Sequence, residues 1–200
     1  MVQQLLYKSR RNRVRLVQTD AGRLVVKTFS QEEAFQKELQ IYKLLQGKNI
    51  PCAKVIRAEN NTLVLSQLPG QTLVQCLEQQ EQTGVPVWDV WEKLVAWLTS
   101  FAQHTGFLMT DVNLRNFVYD EKTKTLYGLD FEQCDVCAMT LPAATVAAFI
   151  RTYKPENTLL KQQISQYVLQ LFAKNCNIPI DDLVLESARQ EAKLLARRKN

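Results

Sequence analysis

The sequence predicts an α+β chain, a single domain made of two lobes: a small antiparallel β lobe with one helix over about 1–69, then a mostly helical lobe over about 70–200. Three observations predict it. Short β-branched runs bounded by turn residues fill the first third of the chain. A single helical pattern interrupts them. Pro69-Gly70 then breaks the pattern, and helical periodicity takes over.

The elements follow in order. Leu5–Tyr7 and Val14–Gln18 read as strands, and Asp20-Ala21-Gly22 as the turn after them, with Gly22 supplying a positive φ. Leu24-Val25-Val26 is an apolar strand ending at Lys27. Ser30 is expected to cap the next helix, with Glu33 completing a capping box. Ala34, Phe35, Leu39, Tyr42 and Leu45 lie near one face of that helix, and Gly47 fits its end. Lys54–Ala58 and Leu63–Leu65 are two more strands, joined at Asn60-Asn61. Beyond the break, Trp88, Trp91, Val95, Leu98 and Ala102 form an apolar stripe at helical spacing. A buried core helix explains that stripe better than a base-stacking platform. Phe117 to Leu129 is a short β segment, and Pro142–Ala173 and Ile180–Arg198 supply two or three helices.

Composition narrows the classes of function. An apolar fraction of 46% and a charged fraction of 22% fit a folded globular chain and not a disordered one. The opening Met1-Val2-Gln3-Gln4 is not a signal peptide, and no run approaches the ~20 apolar residues of a membrane helix. Five scattered cysteines argue against a disulfide framework and for the reducing cytoplasm. Cys134 and Cys137 form a C-x-x-C without the further ligands that a zinc site needs, and read as small packed residues. With His104 as the one histidine, placed to complement a helix end, a Ser-His-Asp hydrolase or a His-rich metal site is hard to build. The net charge is +5, and Lys8, Arg10, Arg11, Arg13, Arg15, Arg23 and Lys27 crowd the first 27 residues against Asp20 alone. Such a field suits an anionic partner, nucleotide phosphate included; a solvated surface is the other reading. No nucleic-acid-binding motif accompanies it, and Arg197, Arg198 and Lys199 complement the dipole of the last helix.

The chemistry concentrates between Thr110 and Glu132. Asp111 lies in a polar loop, Asn116 enters the first strand of a hairpin, and Asp130 leaves the second. The hairpin brings its ends together, so two carboxylates and an amide meet at one end of a short sheet. Hard oxygen donors of this kind suit Mg²⁺, and crowded carboxylates are unfavourable without a cation.

D-x-x-x-x-N, an apolar hairpin and then Asp130-Phe131-Glu132 resemble the catalytic and metal-binding loops of the protein-kinase-like superfamily. The resemblance implies Mg²⁺ and ATP as cofactors, Asp111 as the residue that orients the acceptor hydroxyl, and Asn116 and Asp130 as metal ligands. Val25-Val26-Lys27 resembles the strand whose lysine contacts the α- and β-phosphates. Glu38 resembles its helix partner, although Glu32 and Glu33 open the same helix and are alternatives. Val64 to Gly70 resembles the linking segment whose backbone meets adenine, which implies nucleotide contact at Gln67 and Leu68. Arg115 stands where some kinases carry a γ-phosphate-facing arginine; a surface arginine is the other reading.

The pattern also departs from that family. Tyr7 to Val14, where a glycine-rich phosphate loop belongs, contains no glycine but several cations. Met109 stands two residues before Asp111, where many members carry His, and Asn113 stands where many carry Lys. Glu132 replaces the glycine of D-F-G, which resembles the choline-kinase-like, aminoglycoside-phosphotransferase-like and lipopolysaccharide-core-kinase-like members. Only 70 residues follow Asp130, without an A-P-E-like motif. The expected function is transfer of the ATP γ-phosphoryl to a hydroxyl on a small molecule or glycolipid sugar. The alternatives are a compact atypical Ser/Thr protein kinase and a pseudokinase binding module.

Overall fold

The computed structural model describes residues 4–7, 11–20 and 22–199, the side chains of 4–7, 198 and 199 excepted. Lys8, Arg10 and Ala21, and the side chains of Arg198 and Lys199, lie outside the described residues. Five antiparallel strands form the first sheet, in the order β1-β2-β3-β5-β4: β1 (Gln4–Tyr7), β2 (Arg13–Thr19), β3 (Gly22–Thr28), β4 (Val55–Glu59) and β5 (Thr62–Ser66). The β4–β5 turn uses Asn60 and Asn61, both at positive φ, a conformation that asparagine tolerates better than most residues. Register sets the inner face. Val14, Lys27 and Leu63 align across β2, β3 and β5, as do Leu16, Val25 and Leu65 in the next inward row. Lys27 therefore points to the same side as the core residues Leu63 and Leu65.

Helix α1 (Glu32–Leu45) follows β3. It buries Phe35, Glu38, Ile41, Tyr42 and Leu45, the i, i+3, i+4 face of an amphipathic helix. Glu38 is on that face; Glu32 and Glu33 sit in the exposed first turn. The expected Ser30–Glu33 capping box does not form. The N-cap is Gln31, which makes no side-chain cap bond, and the Ser30 backbone N–H donates instead to Asn12 Oδ1 at 3.4 Å. A capping box does form at Thr72 and Gln75, opening α2 (Leu73–Thr83).

The chain leaves β5 through Pro69-Gly70. Gly70 has φ +102, and a Cβ there would run into the Tyr119 carbonyl. It enters β6 (Gln71–Thr72), which pairs with β8 (Phe117–Asp120). Helix α3 (Trp88–Thr105) is the core of the helical part, burying Trp91, Leu94, Val95, Trp97, Leu98 and Phe101. Trp88 departs from the expected stripe. At the first residue of α3 no preceding turn covers it, and it remains 39% exposed, its ring tilted at 60° against that of Tyr167. Then come β7 (Leu108–Met109), β8 (Phe117–Asp120), β9 (Thr125–Gly128) and β10 (Cys134–Asp135). Helices α4 (Thr140–Thr152), α5 (Leu159–Cys176) and α6 (Ile180–Lys199) complete the chain, with α4 almost wholly buried. Among the described residues, no helix is long and apolar enough to cross a membrane. All five cysteines are free, and burial pushes the Cys134 thiol up to about 12, so Cys134 is no ready thiolate.

Candidate active site

Two nested β ladders build the site. β7 pairs with β10, Met109 opposite Cys134, and β8 pairs with β9, Phe117 opposite Gly128. The loop from 110 to 116 leaves β7 and enters β8, while the loop from 129 to 133 leaves β9 and enters β10. The ladders thus hold both loops side by side. Thr110 N–H donates to Gln133 O at 3.0 Å, and Leu129 N–H donates to Asn116 O at 2.8 Å. Asn113 stiffens the first loop, its side chain accepting the Arg115 N–H at 3.0 Å, and a 3-10 turn runs over Leu114–Asn116. Gly128 is needed because a side chain there would meet the Trp97 indole, whose N–H donates to Pro51 O at 2.9 Å.

Phe131 anchors the second loop. Its fully buried ring stacks with Phe101 (5.5 Å) and Trp97 (6.2 Å) of α3, and meets Tyr42 of α1 edge-on (5.1 Å). Aromatic pairs of this geometry add about 0.5–1.5 kcal/mol each beyond area burial. The packing fixes the residues on either side. Asp130 adopts φ +62, a sparsely populated conformation for a non-glycine residue that is held only where surroundings over-determine it.

The result is a charged cluster around Lys27. Its Nζ donates to Glu38 Oε2 at 2.7 Å and to Asp130 Oδ1 at 2.5 Å, and Glu132 Oε2 lies 3.7 Å away. The lysine side chain is 8% exposed and that of Glu38 1%, whereas that of Asp130 is 41% exposed. Burial is the largest influence on Lys27 and lowers its pKa, but Glu38 and Asp130 together outweigh it and the ammonium is favoured. Burial pushes Glu38 up to about 7 against the opposing pull of Lys27. Among the described residues, Glu38 Oε1 has no hydrogen-bond partner. Oxygens of Glu38, Asp130 and Glu132 all lie within 4.8 Å of one another, a donor set that suits a hard cation.

The structure thus joins three sequence-predicted residues, Lys27, Glu38 and Asp130, in direct contact, with Asn116 bonded through its backbone beside them. Asp111 is exposed, with no ion pair or side-chain hydrogen bond among the described residues. Arg115 is exposed and turned elsewhere: its guanidinium lies 5.5 Å from the Tyr153 ring and 6.0 Å from the Phe149 ring of α4. Gln67 spends its backbone N–H on Arg23 O at 3.4 Å, and Leu68 packs partly against the core. Sequence reasoning missed the contacts of Glu132. Its Oε2 accepts from Asn12 Nδ2 at 2.5 Å, and Arg11 Nη1 lies 3.7 Å from its Oε1. The available signals were the acidic third position of the D-F-E triplet and one amide among arginines.

Among solved structures, the chain is similar to the Cydia pomonella granulovirus kinase PK-1, with a TM-score of 0.55 and 18% identity. The likeness covers 68% of this chain and 55% of that one, so the chain spans about half the length of the viral kinase. At this identity it shows the fold, which is kinase-like. No protein-family model matches the sequence, and no curated protein does.

Proposed function

We propose that this protein is an ATP- and Mg²⁺-dependent phosphotransferase that moves the γ-phosphoryl group of ATP to a hydroxyl. One observation carries the reading: an ammonium from β3 held between a carboxylate of α1 and a carboxylate 103 residues away, at the end of a hairpin. An arrangement assembled from such distant parts, with an exposed carboxylate at its open side, is suited to meeting a charged ligand.

In this reading the nucleotide lies between the two lobes, 1–69 and 70–200, with adenine at the backbone of Gln67 and Leu68. Lys27 binds the α- and β-phosphates, and Glu38 keeps its ammonium in place. The oxygen chemistry around Asp130 fits Mg²⁺, with Asp130 and Asn116 as the residues that would hold it. Bound there, the ion supplies charge neutralisation to the phosphates. Asp111 takes the hydroxyl proton or orients that hydroxyl, a role its exposed carboxylate can fill. Arg115 neutralises charge on the transferred group by turning from the Tyr153 ring. Catalysis is then mostly positioning and electrostatics. Glu132, at the third position of the Asp130-Phe131-Glu132 triplet, favours a small-molecule or glycolipid acceptor over a protein.

Phosphoryl transfer by the wild type and by the Asp111→Ala and Asp130→Ala variants tests the reading. A loss of about 10²-fold or more in each variant is expected, and equal activity in all three removes it. The glycine-free segment before β2 favours one second reading, a module that binds nucleotide without turnover. Mg-ATP binding without transfer to any acceptor or to water would select it.

A further inference from the structure

We propose that Glu132 is a positioning residue for the nucleotide phosphates: it holds the Arg11–Asn12 end of the segment before β2 beside Lys27, so that side chains serve where a phosphate loop uses glycine backbone. The proposal rests on the nucleotide-binding reading above. In a glycine-rich loop, backbone N–H groups approach phosphate closely because no Cβ intervenes. Here Arg11, Asn12 and Arg13 offer no such approach, and Arg13 is already paired with Thr28 in the sheet. Cationic and amide side chains are the remaining donors, and long side chains need an anchor to be useful.

Glu132 is built as that anchor. Its neighbour Phe131 is wedged into the aromatic core, so the carboxylate is carried by a fixed backbone. The side chain is 10% exposed. One oxygen takes the short Asn12 bond and faces Lys27; the other faces Arg11. Asn12 in turn accepts the Ser30 N–H, tying together the start of β2, the entry to α1 and the loop after Asp130. The two contacts differ in kind. The Asn12 bond is short and partly buried, a tether. The Arg11 contact is long and its side chain 65% exposed, so Arg11 can turn to a phosphate while the tether holds. A glutamine at 132 keeps an oxygen for Asn12 and loses only the charge.

Calorimetric titration of Mg-ATP and of adenosine against the wild type and the Glu132→Ala, Glu132→Gln and Asn12→Ala variants tests this. Glu132→Ala and Asn12→Ala should each weaken Mg-ATP binding about tenfold, the scale of one lost hydrogen bond to a charged group. Adenosine affinity should be unchanged, and Glu132→Gln, which keeps the oxygen for Asn12, should lose clearly less than the alanine variant. The double variant should be no weaker than either single one, because both remove the same bond. Should Glu132→Ala not fold, Asn12→Ala decides alone. Tighter Mg-ATP binding by Glu132→Ala overturns the proposal, since the carboxylate would then only compete with phosphate. So does an equal loss for adenosine, or a Glu132→Gln variant as weak as the alanine one. If the wild type binds Mg-ATP and neither alanine variant changes it, this inference alone falls. If the wild type binds neither ligand, the nucleotide reading falls with it.

Discussion

Lys27 and Lys161 are both buried, and their surroundings follow opposite plans. Lys161 of α5 is closed in: its ammonium donates to the Tyr153 and Pro155 carbonyls, and Glu81 lies 3.4 Å away. Its three donors meet three acceptors, and one carboxylate balances one ammonium. Lys27 faces three carboxylates, Glu38, Asp130 and Glu132, and one of them opens to solvent. A surplus of buried negative charge is unfavourable in a free-standing protein and becomes favourable when a further cation arrives. The first plan is what structure alone requires; the second is what a binding site requires.

Four experiments would break or sharpen that contrast, taken from the largest expected effect. Lys161→Met should cost about 3–5 kcal/mol in urea unfolding, because it strands two carbonyls and a carboxylate. Any protein that still folds should bind nucleotide like the wild type. Lys27→Met should do the reverse: phosphoryl transfer falls about 10²–10³-fold, while stability falls by about 1–3 kcal/mol, since Glu38 can take up a proton in place of its partner. Equal stability costs for the two lysines would erase the distinction.

The third concerns pH. Burial raises Glu38 from 4.5 to about 7. Between those values the folded state keeps a proton that the unfolded chain has released, so this group's contribution to stability declines as pH rises through the window. Lys27 has the same sign in a higher window, its contribution being complete below 10.5 and lost as pH climbs through its raised folded value. Unfolding of Glu38→Gln should lack the decline between about 4.5 and 7; an identical slope in both proteins would contradict the assignment. The smallest effect belongs to Trp88→Ala. Its tilted ring contact with Tyr167 lies at the rim of the core, and a loss of about 0.5–1.5 kcal/mol is expected in thermal unfolding.

Most of this architecture is legible in the sequence where local patterns carry it. Period-2 runs mark β2, β3 and β5, and the spacing Phe35, Glu38, Tyr42 puts one carboxylate on the buried face of α1. Lys27 and Asp130 could be named because each stands near the end of a recognisable strand within a run that resembles a kinase-like motif. Contacts with no local signature were not legible. Asn12 and Glu132 are 120 residues apart, and nothing in either neighbourhood announces the other. Local rules also misled where the chain had another use for the group. Ser30 looks like a cap, but its N–H is claimed by Asn12, so the helix begins at Glu32 without one. Trp88 keeps the helical period yet stands at its first position, where burial on one side is all the fold provides.

The single ring of Phe131, seated between α1 and α3, has a mechanical consequence. Tyr42 sits one helical turn beyond Glu38 and bears on that ring, and Asp130 is the residue just before it. Both principal partners of Lys27 therefore hang from a common pivot. Shrinking that one ring would leave a void beneath both carboxylates at once.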